Sequence, residues 1–234
     1  MYLLKIFFQS EFVNLIKKNP VSIKVPRTSF KSIIEGVGIP HTEIGILIFN
    51  NENVNISNII TEDGILLVYP KKSEAIKGEA RFILDVHLGT LAKYLRMLGF
   101  DTLYKNDYED REIVDIALRE SRVILTRDRG ILKRASIKHG YLIRSFCPRE
   151  QLDEVLTKYQ LYEKIRPLTR CLKCNSEIVL VAKEEILERI PPKSRKNFDE
   201  FYVCEKCHKI YWKGSHYDRF KKIIEEVSEK NKKY

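Results

Sequence analysis

Apolar and polar positions along the chain follow two periods, and the points where the period changes mark its elements. YLLKIFF (Tyr2–Phe8) alternates imperfectly and predicts a strand, and VSIKV (Val21–Val25), apolar at every second position, predicts another. Residues Thr28–Glu35 predict a helix that Gly36 and Gly38 help to end. GILIFN (Gly45–Asn50) and ILLVYP (Ile65–Pro70) are apolar strands, the second entered through the turn-forming Glu62-Asp63-Gly64. Lys71–Ala80 is polar, has no period and suits a linker. RFILDV (Arg81–Val86) then predicts a buried strand ending on Asp85, and Leu88, Leu91, Ala92, Leu95 and Leu98 recur at helical spacing up to Gly99. DTLYK (Asp101–Lys105) is a strand, DREIVDIALRES (Asp110–Ser121) an amphipathic helix, and RVILTRDRG (Arg122–Gly130) a strand ending in Thr126-Arg127-Asp128. A short basic helix (Gly130–Gly140), a strand in GYLIRSF and a helix over Glu150–Leu161 complete this region. Strands alternating with helices of such length predict βαβ units on a parallel sheet.

Ligands of open α/β sheets bind beyond the carboxyl ends of the strands, where Asp85 and Asp128 both fall. Asp110 opens the intervening helix and is placed to join them. Three carboxylates at such an edge suit Mg²⁺ or Mn²⁺, which orients water and neutralises charge on a phosphodiester. Arg96, Arg127, Arg129, Lys133 and Arg134 surround these acids in the sequence and suit a polyanion. Structural readings compete: Asp110 also fits a helix N-cap, and Asp85 or Asp128 alone can simply end a strand.

The chain has five cysteines, Cys147, Cys171, Cys174, Cys204 and Cys207. The last four form two C-x2-C pairs separated by 29 residues, a spacing that suits one tetrahedral Zn²⁺ with no open position. Lys183–Pro192 predicts a short helix within the gap, and His208 is a competing ligand. Aromatic residues Tyr202, Tyr211 and Trp212 interleave with Arg170, Lys173, Arg195, Lys196, Lys206 and Lys213, a mixture that stacks bases and holds phosphates. The opposing expectation is that Phe201, Tyr211 and Trp212 form the small core a ribbon needs. His216 is a candidate RNA contact, and Cys147 reads as a buried hydrophobe.

LDVHLGTLAKYLRMLGFDTLY, ILTRDRGIL, the cysteine pattern and the YWKGSHYDRF ending together resemble the Mut7-C RNase family over about residues 81–217. The resemblance implies a PIN-like nuclease with a zinc ribbon, directed at single-stranded RNA, with catalytic acids at Asp85, Asp110 and Asp128. A fourth acid, where present, is Asp101 or Glu112. SIIEGVGIPHTEIGILIFN and EDGILLVYP resemble the β-grasp, ubiquitin-like domain fused ahead of such nucleases, a relative of sulfur carriers. A carrier needs a free Gly-Gly end, whereas here the strand runs through Tyr69-Pro70 into KKSEAIKGEA, so a docking role is expected. His41 reads as structural.

The expected architecture is therefore α/β: a β-grasp domain at 1–75, a linker at 76–80, a PIN-like nuclease at 81–165, a zinc ribbon at 166–218 and a charged helical tail at 219–234. Charge sharpens this reading. Of a net +10, residues 1–80 carry +1, residues 81–150 carry +4 and residues 151–234 carry +5, so the excess lies on the modules with the chemistry. No apolar run reaches membrane-spanning length and no signal-peptide pattern opens the chain, which implies a cytoplasmic protein. The expected activity is metal-dependent RNA hydrolysis on single-stranded RNA, tRNA or rRNA, with a protein or ribosome partner at the N-terminal domain. The rivals are a non-catalytic RNA- or ribosome-binding clamp and a toxin-type nuclease restrained by a partner.

Overall fold

The computed structural model describes residues 1–16 and 18–231. They fall into two compact units, one drawn from residues 1–73 and 110–142, the other from residues 74–109 and 143–231. The segment 81–165 contributes residues to both units.

In the first unit, β1 (Tyr2–Phe8), β2 (Val21–Val25), β3 (Ile44–Phe49), β4 (Glu52–Asn53) and β5 (Gly64–Pro70) form a sheet of order β2-β1-β5-β3-β4. β1 and β5 run parallel at its centre, with Ile6 opposite Leu66, and the remaining pairs are antiparallel. Helix α1 (Phe30–Val37) covers one face. Ser29 caps its start by accepting from the Ser32 amide at 3.2 Å, and Gly38 ends it at φ 114°, which a side chain rarely tolerates. Leu4, Ile6, Ile34, Leu66 and Val68 are wholly buried between helix and sheet. Each contributes about 1.5–3 kcal/mol of hydrophobic stabilisation. This is the β-grasp fold, with β4 as a short addition to the four strands expected.

The same unit contains α3 (Asp110–Glu120), β8 (Val123–Thr126), α4 (Arg129–Leu132) and β9 (Gly140–Leu142), with β8 and β9 parallel. The basic helix expected over 130–140 is only the four residues of α4. Buried polar contacts tie the β-grasp to this segment. The Glu43 carboxylate, 2% exposed, accepts from the Leu142 amide at 2.9 Å, and His41 bridges the Glu35 carboxylate (2.7 Å) and the Ile137 carbonyl (2.8 Å). His41 is thus structural, as expected, but it joins two segments far apart in sequence rather than capping its own turn.

In the second unit, β6 (Arg81–Leu84) and β7 (Asp101–Leu103) are parallel and joined by α2 (Gly89–Met97), one right-sized βαβ step. Gly99 ends α2 at φ 93°, and a Cβ there would lie 2.1 Å from the Arg166 carbonyl oxygen, so only glycine fits. α5 (Pro148–Lys158) packs on α2, and Phe82 sits between Phe100 and Tyr159 with ring centroids about 6 Å away (6.2 and 6.0 Å). β10 (Ile178–Val181), β11 (Phe201–Cys204) and β12 (Ile210–Trp212) make an antiparallel three-stranded ribbon, with a 3-10 turn at Lys183–Arg189 and α6 (Pro192–Asn197) inserted in the cysteine gap. α7 (Ser215–Asn231) follows; residues 232–234 of the expected tail lie outside the described residues.

The stretch read as a linker is held in place: Glu74 donates its amide to the Lys158 carbonyl at 3.0 Å, and Lys164 Nζ bonds the carbonyls of Ile76 and Gly78. Cys147 corrects its expectation. It is exposed, because it occupies the N-cap position of α5 and not an apolar face. Among the described residues no helix is long and apolar enough to cross a membrane. The parallel pairs, the β-grasp sheet and the cysteine module together make the fold class a PIN-like α/β core with a β-grasp before it and a metal-binding ribbon after it.

Candidate metal centre and carboxylate edge

The two C-x2-C turns fold alike because each reuses one local hydrogen-bond pattern. Cys174 N–H points at Cys171 Sγ (3.5 Å) and Cys207 N–H at Cys204 Sγ (3.4 Å). Asn175 N–H donates to the Cys171 carbonyl and His208 N–H to the Cys204 carbonyl, both at 2.9 Å. Asn175 and His208 each close their turn in the left-handed region, at φ 68° and 57°. His208 therefore ends a knuckle, and the ligand group is the four cysteines without it: all four Sγ atoms lie within 4.8 Å of one another.

Such crowding works against four bare thiolates. Burial pushes Cys207 up to about 12, while at Cys174 hydrogen bonds from Ser176 and Cys204 outweigh burial and draw the thiol down to about 6. A soft divalent cation among the sulfurs removes the conflict by letting all four ionise, so the donor set fits structural Zn²⁺. The Tyr211 hydroxyl accepts from the Leu172 amide (3.0 Å) and lies within hydrogen-bond distance of Cys171 Sγ (3.1 Å). Burial and the neighbouring Cys171 push this phenol above its ordinary value. Phe201 is fully buried and its ring lies 6.1 Å from that of Trp212, so these two are ribbon core. Several ribbon cations are paired within the protein: Lys213 with Glu200 at 2.5 Å, Lys183 with Asp199 at 2.9 Å and Arg170 with Glu79 at 3.0 Å. The side chain of His216 lies outside the described residues.

The carboxylates are placed as follows. Asp85 directly follows β6, is 4% exposed and accepts from the His87 amide at 2.8 Å. Asp128 follows β8 by two residues and caps α4, accepting from the Gly130 amide at 2.6 Å, while its own amide donates to Thr126 Oγ1 at 2.8 Å. Asp110 is the first residue of α3, exposed, with Arg134 Nη2 at 3.9 Å from Oδ2. Glu112 is exposed in the same first turn. Arg127 and Lys133 are half-buried and Arg129 and Arg134 exposed. Among the described residues, the cysteines are the group of metal-type ligands drawn within reach of one ion, and no carboxylate cluster is.

Two residues singled out in the sequence have other partners. Arg96 is 5% exposed and donates through Nε to the Thr102 carbonyl (2.8 Å) and through Nη1 to the carbonyls of Leu172 and Lys173 (3.2 and 3.3 Å). Its guanidinium holds a cysteine knuckle and is buried away from any polyanion. Burial lowers its pKa, and the charges of Cys171 and Cys174 oppose that shift. Asp101, 8% exposed, accepts from Asn175 Nδ2 at 2.6 Å. Helical spacing held the signal for Arg96, which lies four residues after Ala92 on the buried face; Asn175 and Tyr211 left none beyond their nearness to cysteines.

A family model of the Mut7-C RNAse domain matches residues 80–224, more than half of the chain. The chain belongs to the Mut7-C RNAse domain family. A second model, the Mut7-C ubiquitin domain, matches residues 10–76 and covers most of the β-grasp sheet. The Mut7-C match takes in both β6–β7 and β8–β9 and all four zinc-type ligands, so ribbon and parallel-strand core are parts of one ribonuclease domain. A comparison with curated proteins finds no match.

Proposed function

We propose that this Mut7-C protein hydrolyses RNA phosphodiester bonds, with Asp85, Asp110 and Asp128 as the carboxylates that hold Mg²⁺ or Mn²⁺. The observation that carries the reading is the placement of acids on the strand ends of a ribonuclease-family core, Asp85 just past β6 and Asp128 just past β8. These are hard oxygen donors, the type such ions require. When bound, the ion supplies an activated water and neutralises charge on the scissile phosphate. The chain's own part is orientation. The His87 amide fixes one oxygen of Asp85 and the Gly130 amide one oxygen of Asp128, so each carboxylate is aimed before substrate arrives. Arg127, Arg129, Lys133 and Arg134 hold the phosphate backbone of single-stranded RNA, tRNA or rRNA. Arg96, buried against the first knuckle, is not among these contacts.

The cysteines being the sole ligand group gathered among the described residues favours a second reading, a clamp that binds RNA without cutting it. One experiment separates them: cleavage of labelled single-stranded RNA and tRNA by zinc-loaded protein, with Mn²⁺ or EDTA, beside Asp85→Asn and Asp128→Asn. Metal-dependent cutting that either substitution abolishes, with RNA binding kept, supports the enzyme. Tight binding without cutting on any substrate supports the clamp. The β-grasp domain serves as a docking element for a protein or ribosome partner.

A further inference from the structure

The first cysteine knuckle is fastened to the α2–β7 corner by a buried polar lock. From one side Arg96, in the last turn of α2, donates to the carbonyls of Leu172 and Lys173, the two residues between the cysteines. From the other, Asn175, the residue that closes the knuckle, reaches back to β7: its Oδ1 accepts from the Thr102 amide at 2.9 Å and its Nδ2 donates to Asp101 at 2.6 Å. Arg96 Nε closes the ring on the Thr102 carbonyl. Both main-chain polar groups of Thr102, a residue with no exposure, are thus held by side chains that also fix the knuckle. Thr102 stands opposite Phe82 in the β6–β7 pair, three residues before Asp85.

Each bond has a cost if broken. A buried guanidinium or amide stripped of its partner loses more than the bond contributed while made. The geometry of the lock depends on the shape of the C-x2-C turn, and zinc bound by the four cysteines would hold that turn against the crowding of its sulfurs. A loaded S4 site also carries two net negative charges, and Arg96 is a buried cation that interacts with Cys171 and Cys174.

We propose that Arg96 and Asn175 are positioning residues that make the zinc knuckle a support of the β6–α2–β7 segment, so that zinc occupancy sets the order of the strand pair leading to Asp85. The ribbon then acts as a built-in metal sensor of the core as well as an appended module. The proposal does not rest on the nuclease reading, because its test uses no RNA.

The test uses the full zinc-loaded chain with Arg96→Met, Arg96→Lys and Asn175→Gly, and Lys213→Met as a ribbon control outside the lock. Glycine tolerates the positive φ at 175, so the last two lock variants avoid adding backbone strain or removing charge. Zinc transfer to a colorimetric chelator should be about tenfold faster in Arg96→Met and Asn175→Gly, the usual scale for outer-shell partners of a metal site. Arg96→Lys should fall between these and wild type, and Lys213→Met should match wild type. Removing zinc from wild type should speed hydrogen exchange in residues 99–105 and leave Leu4 and Ile6 of β1 protected. Zinc release within twofold of wild type in both Arg96→Met and Asn175→Gly would overturn the proposal. So would exchange in 99–105 that ignores zinc, or exchange that rises equally through the whole chain.

Discussion

Glu43→Ala removes a carboxylate that is 2% exposed and whose Oε1 accepts from the Leu142 amide at 2.9 Å. Leu142 is itself buried, so its N–H would be left without that acceptor in a place water does not reach. A hydrogen bond to a charged acceptor contributes about 1.5–3 kcal/mol, and an orphaned buried donor costs a similar amount, so a loss of about 2–3 kcal/mol is expected. With a urea dependence of about 1–3 kcal/mol per molar, the midpoint should fall by about 1 M. Glu43→Gln keeps an acceptor oxygen and should lose about half as much. The assay is urea-dependent hydrogen exchange on full-length protein, read at Leu142 and in β1. Because Glu43 immediately precedes β3 and Leu142 ends β9, both should destabilise together if the β-grasp and residues 110–142 are one folding unit. A midpoint within about 0.2 M of wild type, with Leu142 still protected, would refute the reasoning. Loss of Leu142 protection alone would show two units where we describe one.

Three further outcomes follow from the sites. Cys174→Ser should purify with zinc below stoichiometry and a weaker ribbon, and full zinc content by atomic absorption would remove Cys174 from the metal site. Asp128→Asn retains an oxygen that can accept from Gly130, so α4 should persist while Mn²⁺ affinity drops at least about tenfold; unchanged affinity by calorimetry would take Asp128 out of the proposed set. Glu120 bonds Arg122 at 2.7 Å, and that hydrogen bond holds its carboxyl below the ordinary range. A depressed folded-state pKa stabilises above the unfolded value and is lost as pH falls through the folded one. Thermal stability of wild type and Glu120→Gln should therefore differ by about 1 kcal/mol near neutrality and converge under acid. A gap that persists below the glutamate range would assign the effect to packing.

What the sequence determined by itself was whatever depends on neighbours along the chain. Period-2 and period-3.6 patterns placed the strands from β1 to β9 except β4, and the helices α1, α2, α3 and α5, because which face is buried is written in local spacing; the ribbon strands β10–β12 were not read from it. The cysteine turns were legible for the same reason: a C-x2-C knuckle closes through bonds from residue i to i+3 and i+4, all inside one short segment. The family resemblance rested on those same local runs. Tertiary structure decided the rest, and the cations show why. Arg96 and Arg134 are both arginines beside apolar helix residues, yet one is buried against Leu172 and Lys173 and the other is exposed near Asp110. Nothing within a few residues of position 96 encodes a ribbon 76 residues later packing over it. The contacts that hold the linker stretch were out of reach likewise, since Lys164 and Lys158 are remote from it in sequence. Within the first unit, Glu43 and His41 reach from the β-grasp to Leu142 and Ile137, which lie about a hundred residues further along the chain. A hydrogen bond between distant segments must offset the entropy of closing the loop between them, and its burial depends on what the folded chain packs around it.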